Sequence, residues 1–344
     1  RPDAAGRLLR WRSATLDLAR QRAATLGLDG ACFAWRTISG REVSAYWPAS
    51  TAAMHVNADV SRAFWLYENV TGRDLDSVDG LAVLVETARS WMSVGHEDAA
   101  GGWHLYGMTG PDEYTAIVKD NLFTNLAAAH NLDRAAEAAE RHPELARGLG
   151  VTVEETTAWR QAADAVTVPY DHRLGVHQQC AGFTRLPEWD FEASRDKYPL
   201  LLHAPYFDLY RHQVIKQADL LLAQYWFGHR FDDQDKARNV DYYERRTVRD
   251  SSLSAAVQAV TAAEVGQLEL AYDYWAEAAL TDLQNLHGNS GHGLHIASLA
   301  GGWTVAVAGF GGMRDHDGRL TFAPRLPQRI KRLAFRVVFQ GRCL

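Results

Sequence analysis

Apolar residues recur at helical spacing through most of this chain, and no period-two run appears before Arg319, which restricts it to an all-α fold. Leu8, Leu9, Ala14, Leu16, Leu18, Ala19 and Ala23 mark one helix with an Arg-rich opposite face, ending near Gly27 and Gly30. Residues 52–70 and 80–94 predict a helix hairpin, with Gly72 in its turn and Gly95 closing it. Another helix is expected over 121–141, stopped by Pro143, and a further one opens at Val153. Helical patterns follow at 208–227, 232–246 and 253–280, the last broken near Gly266. Residues 294–313 are apolar but interrupted by glycines and Ser298, so they read as a buried helix and not a membrane span. Leu333, Phe335, Val337 and Phe339 alternate with Ala334, Arg336, Val338 and Gln340, which is the pattern of a strand. About ten helices joined by short and long loops make a toroid or a bundle, between which pattern alone does not choose.

At 344 residues and 47% hydrophobic content there is material for one large core. A net charge of −6 with mixed signs argues against nucleic acid and membrane surfaces as partners. Cys32, Cys180 and Cys343 are odd in number, far apart and without metal-type spacing, so a reducing, cytoplasmic setting is expected. Arg1-Pro-Asp-Ala-Ala-Gly-Arg is followed by no apolar segment of the signal-peptide kind.

The chemistry-bearing stretch is Gly107-Met-Thr-Gly-Pro-Asp-Glu-Tyr114, leading into Asn121-Leu-Phe-Thr-Asn125. It places Asp112 and Glu113 on a Gly-Pro turn, expected immediately before a helix. A rigidly held Glu113 suits protonation of a glycosidic oxygen, while the plainer reading is that the two acids cap the helix. Cys32-Phe-Ala-Trp35, Gly40-Arg-Glu42 and Tyr46-Trp-Pro48 form an aromatic and acidic loop suited to sugar faces and hydroxyls, with Trp35 and Glu42 as candidates and simple packing of Trp35 as the alternative. Residues 168–202 are irregular and contain Gly175-Val-His-Gln-Gln179, and so long a loop inside a domain usually serves a site. Lys216-Gln217 interrupts an apolar run, where the lysine either snorkels or meets a ligand.

Asp250-Ser-Ser-Leu-Ser254 reads as a capped helix start or as an anion site. Leu286-His-Gly-Asn-Ser-Gly-His-Gly-Leu-His295 adds three histidines, and no Asp or Glu occurs over 283–314. An inverting hydrolase needs a carboxylate base opposite its acid, whereas phosphorolysis needs cationic and N–H donors there to position phosphate.

Several of these blocks resemble glycoside hydrolase family 65, the family of maltose, trehalose and kojibiose phosphorylases. The match runs in order through Phe33-Ala-Trp-Arg36, Gly40-Arg-Glu42, Gly110-Pro-Asp-Glu-Tyr114, Lys216-Gln-Ala-Asp219, Arg249-Asp-Ser-Ser-Leu-Ser254 and Gly293-Leu-His-Ile-Ala-Ser-Leu-Ala-Gly-Gly-Trp303. The resemblance implies an (α/α)6 barrel over 1–314, incomplete at its amino-terminal end, and the first strand region of a small carboxy-terminal β-domain over 315–344. It implies Glu113 as general acid, Lys216 and Gln217 on the glucosyl unit, and Ser251, Ser252 and His295 on phosphate. The expected reaction is inverting phosphorolysis of an α-glucosyl disaccharide to β-glucose 1-phosphate and a free sugar. A trehalase-like hydrolase and a non-catalytic carbohydrate-binding fragment are the alternatives. No metal or organic cofactor is expected beyond phosphate as co-substrate; the partners are a disaccharide and phosphate, with a homodimer admissible. His292 stands where relatives commonly have an acid, Lys119-Asp120 replaces a more usual pair, and an upstream Trp-Asp element is missing. The chain therefore looks like a carboxy-terminal piece, expected to be unstable and inactive when produced alone.

Overall fold

The first apolar stretch folds as two helices, not one. In the computed structural model, which describes residues 1–344 save the side chains at positions 49, 50 and 317, α1 (Pro2–Ala14) and α2 (Leu16–Thr25) meet at Thr15. Thr15 sits at φ −97° and ψ 6°, and its hydroxyl donates to the Arg12 carbonyl at 2.8 Å, diverting the backbone at the joint. Leu9, Leu16, Ala19 and Ala23 are buried, but Leu8 points outward.

By contact density the chain divides into two units. One comprises residues 1–111, 116–168 and 336–344. After α1 and α2 it contains α3 (Trp47–Ala52), α4 (His55–Thr71), α5 (Gly80–Val94), α6 (Leu122–Arg141), α7 (Pro143–Gly148) and α8 (Val153–Asp164). The expected hairpin is present: Gly72 caps α4 at φ 64°, a conformation glycine adopts without strain. At Gly95, after α5, a Cβ atom would lie 1.9 Å from the Trp103 ring, so only glycine fits. Asn121 caps α6 by accepting from the Thr124 N–H at 2.9 Å. Phe64, Leu84, Trp91, Phe123, Leu132 and Trp159 are buried between these helices, each such side chain contributing about 1.5–3 kcal/mol by transfer from water.

The strand expected from the alternation of 333–340 is confined to a terminal hairpin. Val338–Phe339 pairs antiparallel with Arg342–Cys343 across Gln340 and Gly341, both at positive φ. Its turn is tied to the end of α4, since Gln340 N–H donates to Asn69 O and Gly341 N–H to Val70 O, each at 3.0 Å.

The second unit comprises residues 112–115 and 169–335. Its helices are α9 (Tyr206–Leu209), α10 (Asp219–Trp226), α11 (Asp233–Glu244), α12 (Ser254–Glu264), α13 (Leu268–Leu280) and α14 (Ile296–Thr304), which runs on as a π-helix over Val305–Phe310. The helix expected over 208–227 does not form between 210 and 218. There Ile215 instead bridges Thr247, donating to Arg246 O and accepting from Val248 N–H, both at 2.9 Å. Val214 and Ile215 are fully buried, and as β-branched residues they suit this extended stretch.

Small residues bring α12 and α14 together. A Cβ on Gly301 would lie 2.5 Å from Ala256 Cβ, and one on Gly309 would lie 3.5 Å from Val260 Cα. Contacts therefore advance along both segments in the same sense, so the two helices run parallel and their N-termini share one end. The run 294–313 is buried mainly in its second half: Val305, Val307, Ala308 and Phe310 are inside, whereas in the first half Ser298 and Gly302 are buried but Ile296 and Trp303 are 65% and 55% exposed. No described helix is long and apolar enough to cross a membrane.

Candidate active site

Asp112 and Glu113 do not cap a helix, because α6 begins at Leu122 behind its own cap. They occupy a free-standing turn. Asp112 Oδ1 accepts from the Tyr114 N–H at 3.2 Å, and its carbonyl accepts from the Thr115 N–H at 3.2 Å, the geometry of an Asx turn following Gly-Pro. Asp112 is fully buried. Its remaining bonds reach across the unit: Lys216 N–H and Gln217 N–H donate to Oδ1 at 2.8 and 3.2 Å, while Thr115 Oγ1 and Gln179 Nε2 donate to Oδ2 at 2.5 and 2.9 Å. Burial pushes this carboxyl up to about 6, against the hydrogen bonds from Thr115, Lys216, Tyr114 and Gln217 that favour the anion. Sequence reasoning assigned Asp112 no role beyond the cap; the structure makes it the tie between the Glu113 turn and the Lys216-Gln217 segment.

That tie places Lys216 Nζ on Glu113 Oε2 as an ion pair, with the two side chains 15% and 18% exposed. The lysine therefore neither snorkels nor lies on a helix. Gln217 Nε2 donates to Ser251 Oγ at 3.0 Å, and Ser254 Oγ donates to Lys216 O at 2.8 Å. Tyr114 completes the frame. Its buried hydroxyl donates to Asp250 Oδ2 at 2.6 Å and accepts from Leu201 N–H at 3.1 Å, while Leu200 N–H donates to the same Asp250 oxygen at 2.7 Å. Burial, then the Asp250 carboxylate, hold this phenol well above its usual range, so it stays a donor.

Ser251 and Ser252, both half-buried, immediately precede α12. His295 is the N-cap residue of α14, so the parallel alignment of these helices puts the three side chains at one end of the pair. The stretch 283–314 is free of acids in sequence but not in space. Asp282 Oδ1 accepts from His295 Nδ1 at 2.6 Å, and Oδ2 accepts from the His295 N–H at 2.7 Å.

Trp35 and Glu42 belong to the other unit. Glu42 organises its own loop: Oε2 accepts from Trp35 N–H at 2.7 Å, Oε1 from Ser44 N–H at 2.9 Å, and Arg22 lies 3.8 Å away. Arg36 stacks 4.9 Å from the Trp35 ring centroid. The structure thus joins Glu113, Lys216, Gln217 and Ser251 directly, and sets Ser252 and His295 at the shared helix end. Tyr114, Asp250 and Gln179 are the further participants; Gln179 lay in the irregular stretch that signalled a site. Among the described residues, no three His, Cys, Asp or Glu side chains are grouped as metal ligands would be.

Comparison with known proteins places these residues in context. The sequence profile of the glycosyl hydrolase family 65 central catalytic domain matches residues 1–304, and that of the family's C-terminal domain matches 313–344. An uncharacterized glycosyl hydrolase of Mycobacterium tuberculosis is 63% identical over 99% of this chain and 43% of its own length. An alpha,alpha-trehalose phosphorylase of Geobacillus stearothermophilus is 42% identical over 99% of this chain and 46% of its own. A solved structure of a protein provisionally named kojibiose phosphorylase, from human microbiome, superposes with a TM-score of 0.91 at 26% identity, covering 100% of this chain and 52% of the other. The chain spans about half the length of the relatives it matches. The mostly helical fold, with few short strands, is the expected one of the (α/α)6 class with a small carboxy-terminal part.

Proposed function

The chain belongs to glycosyl hydrolase family 65, and on that premise we propose that it catalyses inverting phosphorolysis of an α-glucosyl disaccharide of the trehalose, maltose or kojibiose type. The products are β-glucose 1-phosphate and a free sugar. A phosphate oxygen attacks the anomeric carbon as the bond to the leaving sugar breaks; that bond's electron pair passes to the leaving oxygen, which takes the proton of Glu113. Solvent restores the proton.

Lys216 carries three N–H donors on a flexible stem, which it can turn from Glu113 toward glucosyl hydroxyls when the sugar enters, with Gln217 beside it. Ser251, Ser252 and His295 receive phosphate at the common end of α12 and α14, where free backbone N–H groups also favour an anion. Trp35 and Glu42 are proposed to contribute to substrate binding from their loop. Disaccharide and phosphate suffice as partners, and no metal or organic cofactor enters the reaction. A cytoplasmic location and a homodimeric state belong to the same proposal.

The observation that carries the choice of phosphate over water concerns three carboxylates. Asp112 and Asp282 accept hydrogen bonds on both carboxylate oxygens and Asp250 accepts two on Oδ2, so each already helps to hold the site, which supports phosphate over water as the nucleophile. The test is product formation by the full-length protein across a disaccharide panel, with and without orthophosphate. Glucose 1-phosphate formed only with orthophosphate is expected; equal sugar release in its absence would favour a hydrolase of the same family.

A further inference from the structure

Asp282 grips one residue at two points. Its Oδ1 meets the ring of His295 at Nδ1, 2.6 Å away, and its Oδ2 meets the backbone N–H of the same residue at 2.7 Å. The Asp282 side chain is 6% exposed and that of His295 is 21% exposed, so the pair is largely shielded from water while the ring keeps one open edge. Ser290 Oγ lies 3.4 Å from Oδ1 and supports the carboxylate from the other side. A histidine held by ring and backbone together has little freedom left about either side-chain torsion.

The consequence is chemical as well as geometric. With Nδ1–H committed to Asp282, only Nε2 remains to face a ligand, and it has no hydrogen-bond partner among the described residues. An Nε2 bearing a proton donates to an anion; a bare one accepts a proton from water. The carboxyl of Asp282 is held below its usual range, chiefly by the His295 hydrogen bond.

We propose that Asp282 is a positioning residue for phosphate, fixing His295 so that its Nε2 edge is presented at the shared end of α12 and α14, beside Ser251 and Ser252. The inference rests on the reading of those three residues as the phosphate site. Asn at 282 would keep one acceptor oxygen for the His295 backbone, but its amide would face Nδ1 with a donor and remove the ion pair.

Steady-state phosphorolysis by the full-length protein tests this. Asp282→Asn should raise the KM for phosphate, by about 10–100-fold if the loss matches that of a carboxylate orienting a metal-bound histidine, and leave the KM for disaccharide nearly unchanged. Asp282→Glu, which retains the charge at a different reach, should recover part of the loss. Should the Asn variant not fold in a thermal melt, the Glu variant alone must show a raised phosphate KM; wild-type constants there would overturn the proposal. An unchanged phosphate KM in Asp282→Asn, beside a raised one in His295→Gln, overturns the proposal and leaves the phosphate site standing. If neither variant moves it, the phosphate-site reading itself falls. A fall in kcat with both KM values unchanged would mean that His295 acts as a base, which also refutes the role assigned to Asp282.

Discussion

Replacing Asp112 separates two effects that this residue combines, the burial of a charge and the satisfaction of buried donors. Its oxygens accept from five donors, the N–H groups of Tyr114, Lys216 and Gln217, the Thr115 hydroxyl and the Gln179 amide. Asp112→Ala removes that acceptor in a fully buried position; Gln179 Nε2 keeps Thr115 Oγ1 at 3.1 Å, so four donors are orphaned. At the low end of about 1 kcal/mol for each orphaned buried donor, the cost comes to about 4 kcal/mol, and relaxation would trim it to about 3–4. Asp112→Asn keeps one acceptor oxygen and removes the buried charge, so it should cost about 1–2 kcal/mol near neutral pH. The pH dependence has a definite sign. The folded-state value of about 6 lies above the ordinary 3.8, so the native state binds the extra proton between those values, and its advantage is full below 3.8 and lost as pH rises through 6. The difference is worth about 3 kcal/mol at 1.36 kcal/mol per pH unit. Urea unfolding of wild type and Asp112→Asn at pH 4 to 7 should therefore show wild type losing stability relative to the variant as pH rises. A flat difference, a gain with pH, or a cost below about 1 kcal/mol for Asp112→Ala would refute this account of the carboxylate.

Two further substitutions probe the chemistry and the frame separately. Glu113→Gln removes the transferable proton while keeping an acceptor for Lys216, and should lower phosphorolysis by about two or more orders of magnitude with little change in thermal unfolding; Asp112→Asn should cost clearly less activity, and the reverse order would transfer the acid role to Asp112. Gly301→Val places a branched side chain where even a Cβ lies 2.5 Å from Ala256, so it should cost about 1–3 kcal/mol in denaturant and raise the KM for phosphate by prising α14 from α12.

The helices that sequence made legible are those whose ends are written locally. The segment 80–94 coincides with α5, and Asn121 and Gly266 mark their boundaries through side-chain and left-handed capping that needs no distant partner. The stretch 210–218 was illegible for the opposite reason. Val214 and Ile215 extend the same apolar pattern as α10, and distant pairing, with residues 246–248 and of Gln213 with Glu188, holds the stretch out of a helix. The acid turn was legible as a motif, but its support was not, since the partners of Asp112 lie 67 and 104 residues away in Gln179 and Lys216. Asp282 escaped because it stands one residue before the acid-free run, and nothing in the linear pattern folds it back 13 residues onto His295.

The carboxylates around the site also bear on why the acid role is proposed for Glu113 and not for a neighbour. Asp112 is fixed mainly by backbone N–H groups, Asp250 by a phenol and a backbone N–H, and Asp282 by a ring and a backbone N–H. Such donors belong to rigid parts of the fold and cannot retreat, so these three are committed to holding structure. Glu113 alone of the four is met by a flexible ammonium, on a stem of four methylenes. In the proposed reaction a partner of that kind can swing toward a sugar hydroxyl when the glucosyl unit enters. The rigid bonds of Asp112 meanwhile hold Lys216 and Glu113 at the same place, because its oxygens clamp the backbone of both segments. The proposed acid role asks for a fixed framework around one exchangeable proton, and rigid donors on three carboxylates beside a movable ammonium at the fourth are compatible with it.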